Sequence, residues 1–277
     1  FKFYEYHAED RDPVTDNALR SRAFQFVDRI DRPIDVSHLA KVQLVPAMQQ
    51  ARGDFPFDEY YDSTAYRYGS LWLGELKIWH GHGDYPWSPA GSAFLKFMSS
   101  TDGLNWRRAA YPNDDGIPEV FIANGRPEGG NEGRNDAGYI TTFCSPPLRV
   151  GDELVYYYGA SSYGKNASAD LRVTGGGIFR ARLRLDGFVS VDAGRITTPP
   201  LRFEGADLRV NSAGPVTVEV LDEAGVPLGA VRLDTDAVRH LLRFDGRSLR
   251  ELAADRKAVQ LRFTVAAGAA LYSFVIE

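Results

Sequence analysis

Apolar and polar positions alternate with a period of two along most of this chain. The alternation predicts strands over 1–6, 23–28, 65–78, 92–99, 137–143, 153–158, 177–185 and 188–190, with Gly, Pro, Asn and Asp filling the gaps between them. Helical periodicity is scarce. Asp35 is placed to cap a single turn over Val36–Leu39, and SLRELAAD reads as a helix of one or two turns. The first residues, FKFYEYHAEDRD, already alternate: Phe1, Phe3 and Glu5 fall on one side, Lys2, Tyr4 and Tyr6 on the other. That is the pattern of the middle of a strand. The expectation is therefore that further sequence precedes Phe1, or that the chain has been processed.

Two pieces recur. One is an aromatic strand with a glycine turn, as in YRYGSLWLG and VGDELVYYYGA; the other is a following strand that ends in Asp-Gly, as in AFLKFMSSTDG and GGIFRARLRLDG. The units are spaced by roughly 60 to 80 residues, the repeat expected of four-stranded propeller blades. In STDGLNW, Asp102 is expected to bond the backbone beyond it, Gly103 to take a positive φ, and Trp106 to fold back over the core. All three read as structural.

The character changes after Gly194. LRFEG, LRFDG and LRFTV repeat one strand logic, Phe inward and Arg outward, among Gly/Pro turns and few aromatics. The expected fold class is all-β. A propeller portion of about three blades spans 1–194, and an antiparallel β-sandwich spans 195–277. The sandwich reads as a packing module. Its Arg202, Arg209, Arg232, Arg243 and Arg262 accompany no aromatic platform, and an oligomer interface is the alternative.

Composition narrows the function. The 277 residues are 44% hydrophobic and 25% charged, with a net charge of −5. A mildly acidic balance gives no reason to expect nucleic acid as a partner, and no apolar run is long enough for a membrane span. A single cysteine, Cys144, excludes an internal disulfide framework and reads as a small buried hydrophobe. No G-x-S-x-G elbow supports Ser-His-Asp catalysis. Localisation is left open.

The succession S-T-D-G-L-N-W, then G-D-E-L before an aromatic strand, then LRLDGFVSVDAG and TTPPLRFEG resembles the C-terminal part of bacterial five-bladed β-propeller proteins related to glycoside hydrolases. That superfamily includes the arabinanase, levansucrase and invertase groups. The resemblance implies a central pocket that acts on or binds an oligo- or polysaccharide. It also implies that two N-terminal blades, carrying part of the catalytic set, lie outside this chain.

Glycoside hydrolysis needs two carboxyl groups, one protonated and one ionised. The candidate catalytic residues are Asp58, Glu59 and Asp62 in PFDEYYDSTAYRYG, and Asp136 in PEGGNEGRNDAGY; each cluster directly precedes a strand. Tyr60 and Tyr61 would supply flat faces for sugar rings. In WHGHGDYPW, His80, His82 and Trp87 are candidate sugar contacts, His80, His82 and Asp84 are a weaker candidate metal set, and a plain surface loop is the alternative. Glu132 and Arg134 are candidate substrate-binding residues, Arg134 by setting a neighbouring carboxylate's pKa. The Asn/Asp/Glu richness there would permit Ca²⁺, but no EF-hand spacing supports it, and no cofactor is expected. Two function classes stand: a glycosidase with paired carboxylates, and a non-catalytic carbohydrate-binding or structural propeller. Partner readings are a homo-oligomer or a second protein supplying the remaining blades, since open blade edges invite association.

Overall fold

Alternation becomes strand nearly throughout. The computed structural model describes residues 58–81, 91–108, 120–125, 135–143, 145–165, 175–254 and 256–277, and the backbone alone of 2–11, 18–25 and 43–44. The chain divides into two units, residues 1–147 with 156–181, and 148–155 with 182–277.

In the first unit, β1 (Lys2–Arg11), β2 (Ala18–Gln25) and β3 (Gln43–Leu44) form an antiparallel sheet in that order. The larger sheet, which includes residues 148–150, 153–155 and 182–184 of the second unit, uses β4 (Glu59–Tyr68), β5 (Leu71–His80), β6 (Ser92–Ser100), β7 (Trp106–Arg108), β8 (Tyr139–Ile140), β9 (Leu148–Val150), β10 (Glu153–Ser161) and β11 (Gly176–Arg184). Its order is β11-β10-β8-β6-β5-β4, with β7 on β6 and β9 on β10. β6 and β8 run parallel, joined at Ala93 and Tyr139.

The single strand expected over 65–78 is a hairpin instead. Tyr68 pairs with Leu71 across Gly69 and Ser70, and Gly69 holds φ at 58°. A positive φ at the first central residue alone is what a type II′ turn requires. The strand expected over 137–143 shortens to two residues. Beyond it, Thr142 and Phe143 turn to the side chains of β4: Thr142 Oγ1 donates to Asp62, and the Phe143 carbonyl accepts from Thr64 Oγ1. Residues 188–190 are not strand either. A turn with Asp186 at φ 58° and Gly187 N–H on the Arg184 carbonyl intervenes. The turn expected over 36–39 lies outside the described residues.

One face of the β4–β5–β6 ladder packs Tyr60, Leu76, Ile78, Phe94, Met98 and Trp106 into a core. Asp102 behaves as its turn role demands: it accepts from the backbone of Leu104 and Asn105, which holds its carboxyl well below the usual range. Gly103 sits at φ 76°, and its carbonyl accepts the Trp106 indole N–H at 2.9 Å.

In the second unit, β12 (Gly194–Thr197), β13 (Leu208–Ala213), β14 (Val216–Leu221), β15 (Pro227–Leu233), β16 (Ala237–Leu241), β17 (Gln260–Val265) and β18 (Ala270–Ile276) form two antiparallel sheets, β12-β17-β14-β15 and β16-β13-β18. Alternate residues Val216, Val218 and Val220 meet Leu261, Phe263 and Val265 in one core. Each such buried side chain contributes about 1.5–3 kcal/mol. Phe244 and Phe263 point inward, as the repeated motif predicts. Helix α1 (Leu249–Ala253) closes this core with Leu249 and Leu252, capped by reciprocal Ser248–Glu251 bonds. No helix among the described residues is long and apolar enough to cross a membrane.

Candidate functional site

The site grows from an irregularity at the start of β4. Tyr60 pairs with Ile78 and Asp62 with Lys77, so Tyr61 is the extra residue of a β-bulge. A bulge re-aims the side chains beside it. Asp58 and Tyr60 go to the core face. Tyr61 and Asp62 share the other face with Lys77 and Trp79, which alternate along β5, and Glu59 stands opposite Trp79 in the ladder.

On the core face, Asp58 Oδ1 and His80 Nδ1 stand 2.6 Å apart with both side chains fully buried. Two of the sequence candidates therefore meet each other there, away from solvent. Tyr60 is 3% exposed and belongs to the apolar core.

On the opposite face Tyr61, Asp62 and Trp79 are half-buried, while Glu59 and Lys77 are buried. The rings of Tyr61 and Trp79 lie 5.5 Å apart at 38°. Asp62 accepts from the Ser63 N–H through Oδ1 and from Thr142 Oγ1 through Oδ2, each at 2.8 Å. The Lys77 ammonium sits 4.1 Å from the Tyr139 ring centroid and 5.7 Å from that of Tyr61. Lys165 places a second ammonium 4.3 Å from the Tyr61 centroid and 5.5 Å from that of Trp79. Burial pulls Lys77 down to about 8, against the opposing pull of the Asp62 charge. The Trp79 indole N–H has no acceptor among the described residues.

Asp136 precedes β8 and accepts from the Tyr158 hydroxyl at 3.3 Å. Burial, reinforced by the Asp136 charge, pushes that phenol up to about 12, so it stays a donor at neutral pH. Deeper on the same face, Glu75 is fully buried, and desolvation lifts its carboxyl to about 8. Next to it the hydroxyls of Tyr66 and Tyr156 meet at 2.8 Å, and Phe97, Phe121 and Phe143 continue the aromatic packing over Tyr156.

Asp62, Tyr61 and Glu59 thus lie on one face, and Asp58, Tyr60 and His80 on the other. His82, Trp87, Glu132 and Arg134 lie outside the described residues. No metal-like gathering of three or more His, Cys, Asp or Glu occurs among the described residues. Sequence reasoning missed Glu75, Lys77, Trp79, Tyr139 and Lys165. A signal for two of them was present: in LGELKIWH, Glu75 and Lys77 sit two apart in an apolar run, which puts both charges on one face of a buried strand.

No protein-family model matches the chain, and no curated protein does. Its structural neighbours are glycoside hydrolases. A structure described as a glycoside hydrolase aligns with a TM-score of 0.36 and 14% identity, over 65% of this chain and 40% of that one. A Parabacteroides distasonis structure, also described as a glycoside hydrolase, gives 0.26 and 12%, over 69% and 52%. A Bombyx mori GH32 beta-fructofuranosidase variant in complex with sucrose gives 0.29 and 11%, over 99% and 74%. The chain thus spans 40% of the first relative's length and 52% of the second's. Likeness of this degree leaves the chemistry to be read from the residues themselves.

Proposed function

We propose that this chain is the carbohydrate-handling part of a glycoside hydrolase-like protein, with about three blades of a five-bladed β-propeller over 1–194 and the sandwich over 195–277. The observation that carries the reading is the half-buried trio of Tyr61, Asp62 and Trp79 on one face of the β4–β5 ladder. Sugars are recognised by this combination of flat apolar ring and fixed polar acceptor, because C–H faces pack on aromatics while hydroxyls donate to a carboxylate. Asp62 is held in place by Ser63 and Thr142, so it is pre-oriented toward a ligand.

Hydrolysis would use Asp62 as the ionised carboxylate, with Glu59 and Asp136 as the candidates for its partner. Asp58 is spoken for by His80. A second reading, a sugar-binding surface without hydrolysis, is favoured by Glu75: the carboxyl held protonated at neutral pH is also the one that burial keeps from substrate.

A panel of neutral oligosaccharides titrated into the chain, followed by tryptophan fluorescence and by release of reducing ends, tests both. Binding with release that Asp62→Asn abolishes supports the enzyme; binding without release supports the second reading. Absence of binding across the panel would remove both.

A further inference from the structure

We infer that Lys77 and Lys165 form a subsite for an anionic group, namely a carboxylate carried by a sugar that stacks on Tyr61 and Trp79. The inference rests on the saccharide reading and adds the chemical class of the ligand.

Lys77 is 6% exposed. Among the described residues its ammonium meets the Tyr139 and Tyr61 ring faces and no hydrogen-bond acceptor or ion-pair partner. Ring faces stabilise the cation but leave its three N–H donors without acceptors. A buried charge in that condition is costly until a counter-ion arrives. Asp62 faces Lys77 across the ladder and acts on it electrostatically, but its Oδ1 and Oδ2 accept from Ser63 and Thr142. Asp62 thus offsets the Lys77 charge electrostatically, and among the described residues no acceptor meets the N–H donors of Lys77.

Lys165 adds positive charge beside the same rings. It brings a second ammonium over the Tyr61 ring from a segment far along the chain. Two cations then flank one aromatic platform beside the Asp62 carboxylate. A ring stacked on that platform would carry a carboxylate substituent into reach of both. The rival role for a buried lysine, a neutral amine acting as base or nucleophile, is disfavoured because a lysine lowered only to about 8 is still mostly ammonium at neutral pH.

The test is calorimetric titration of the 277-residue chain with two oligosaccharides of the same linkage, one neutral and one with its hydroxymethyl groups oxidised to carboxylates, at low salt. The carboxylated ligand should bind on the order of tenfold more tightly. Lys165→Met should shrink that preference, and Lys77→Met should abolish it. If Lys77→Met does not fold, the wild-type preference measured at about pH 7 and about pH 9 reads the same ammonium, and it should fall as Lys77 loses its proton. Equal binding of the two ligands, or a preference unmoved by Lys165→Met, overturns the anionic subsite and leaves the sugar site standing. Binding of neither overturns both.

Discussion

Asp58 and His80 hold each other at 2.6 Å, out of solvent, on the sheet face opposite Asp62. They are 22 residues apart in sequence and tie the entry of β4 to the last residue of β5. The bulge at Tyr61 begins three residues after Asp58. The pair therefore anchors the backbone just ahead of the turn-out that sends Tyr61 and Asp62 to the candidate site. His80→Ala would leave a carboxylate buried without its imidazole, at a cost of about 3–5 kcal/mol. Asp58→Asn combined with His80→Gln replaces the pair with neutral hydrogen-bonding groups and should cost less than His80→Ala alone. Urea unfolding of the single and double variants checks the order.

Glu75 and Lys77 predict a bent pH profile of stability. Glu75 is lifted from 4.5 to about 8, so between those values the folded state binds the proton that the unfolded state releases. Stability should therefore fall as pH rises through that window, by up to about 1.4 kcal/mol per pH unit. Lys77 is lowered from 10.5 to about 8, so between about 8 and 10.5 the unfolded state binds the extra proton and stability should recover. Glu75→Gln should flatten the first limb and Lys77→Met the second. Chemical denaturation in a pH series reads both slopes.

Gly138 stands where two backbones approach. A Cβ there would collide with the Tyr163 carbonyl and lie 2.8 Å from the Gly164 nitrogen. That contact places the segment just before Lys165 against β8. Gly138→Ala must push the backbones apart, at a cost of about 1–3 kcal/mol. It should also move Lys165 off Tyr61 and weaken binding of a carboxylated ligand more than of a neutral one. Thermal melting and the paired titration together test this.

Much of the β architecture was legible from alternation alone. Val216, Val218 and Val220 face inward because one side of their strand is buried and the other is not. The Asp102–Gly103–Trp106 turn was readable because its chemistry is local. The hairpin at Gly69 was not, since apolar residues continue from YRY into LWL with only Gly69 and Ser70 between them, and the run reads as one strand. The candidate site was half legible. Asp62 and Tyr61 stood out as an acid and an aromatic before a strand. Which face each takes depends on the bulge, and that is decided by the pairing of Asp62 with Lys77, 15 residues away, not by local pattern. Asp58 and His80 read as site residues because their burial against each other is a property of the sheet. Lys165 was invisible, because long-range pairing of β10 with β8 and the close approach at Gly138, not local pattern, bring its segment to this face.

The central claim is that Tyr61, Asp62 and Trp79 form one saccharide-binding face. The most direct measurement is calorimetric titration of a bound neutral oligosaccharide against the wild type, Tyr61→Ala and Asp62→Asn, with melting curves to show that each variant is folded. The account predicts that each substitution weakens binding about tenfold or more, while the melting curves stay close to wild type. Affinity unchanged in both folded variants would place the ligand elsewhere and contradict the account.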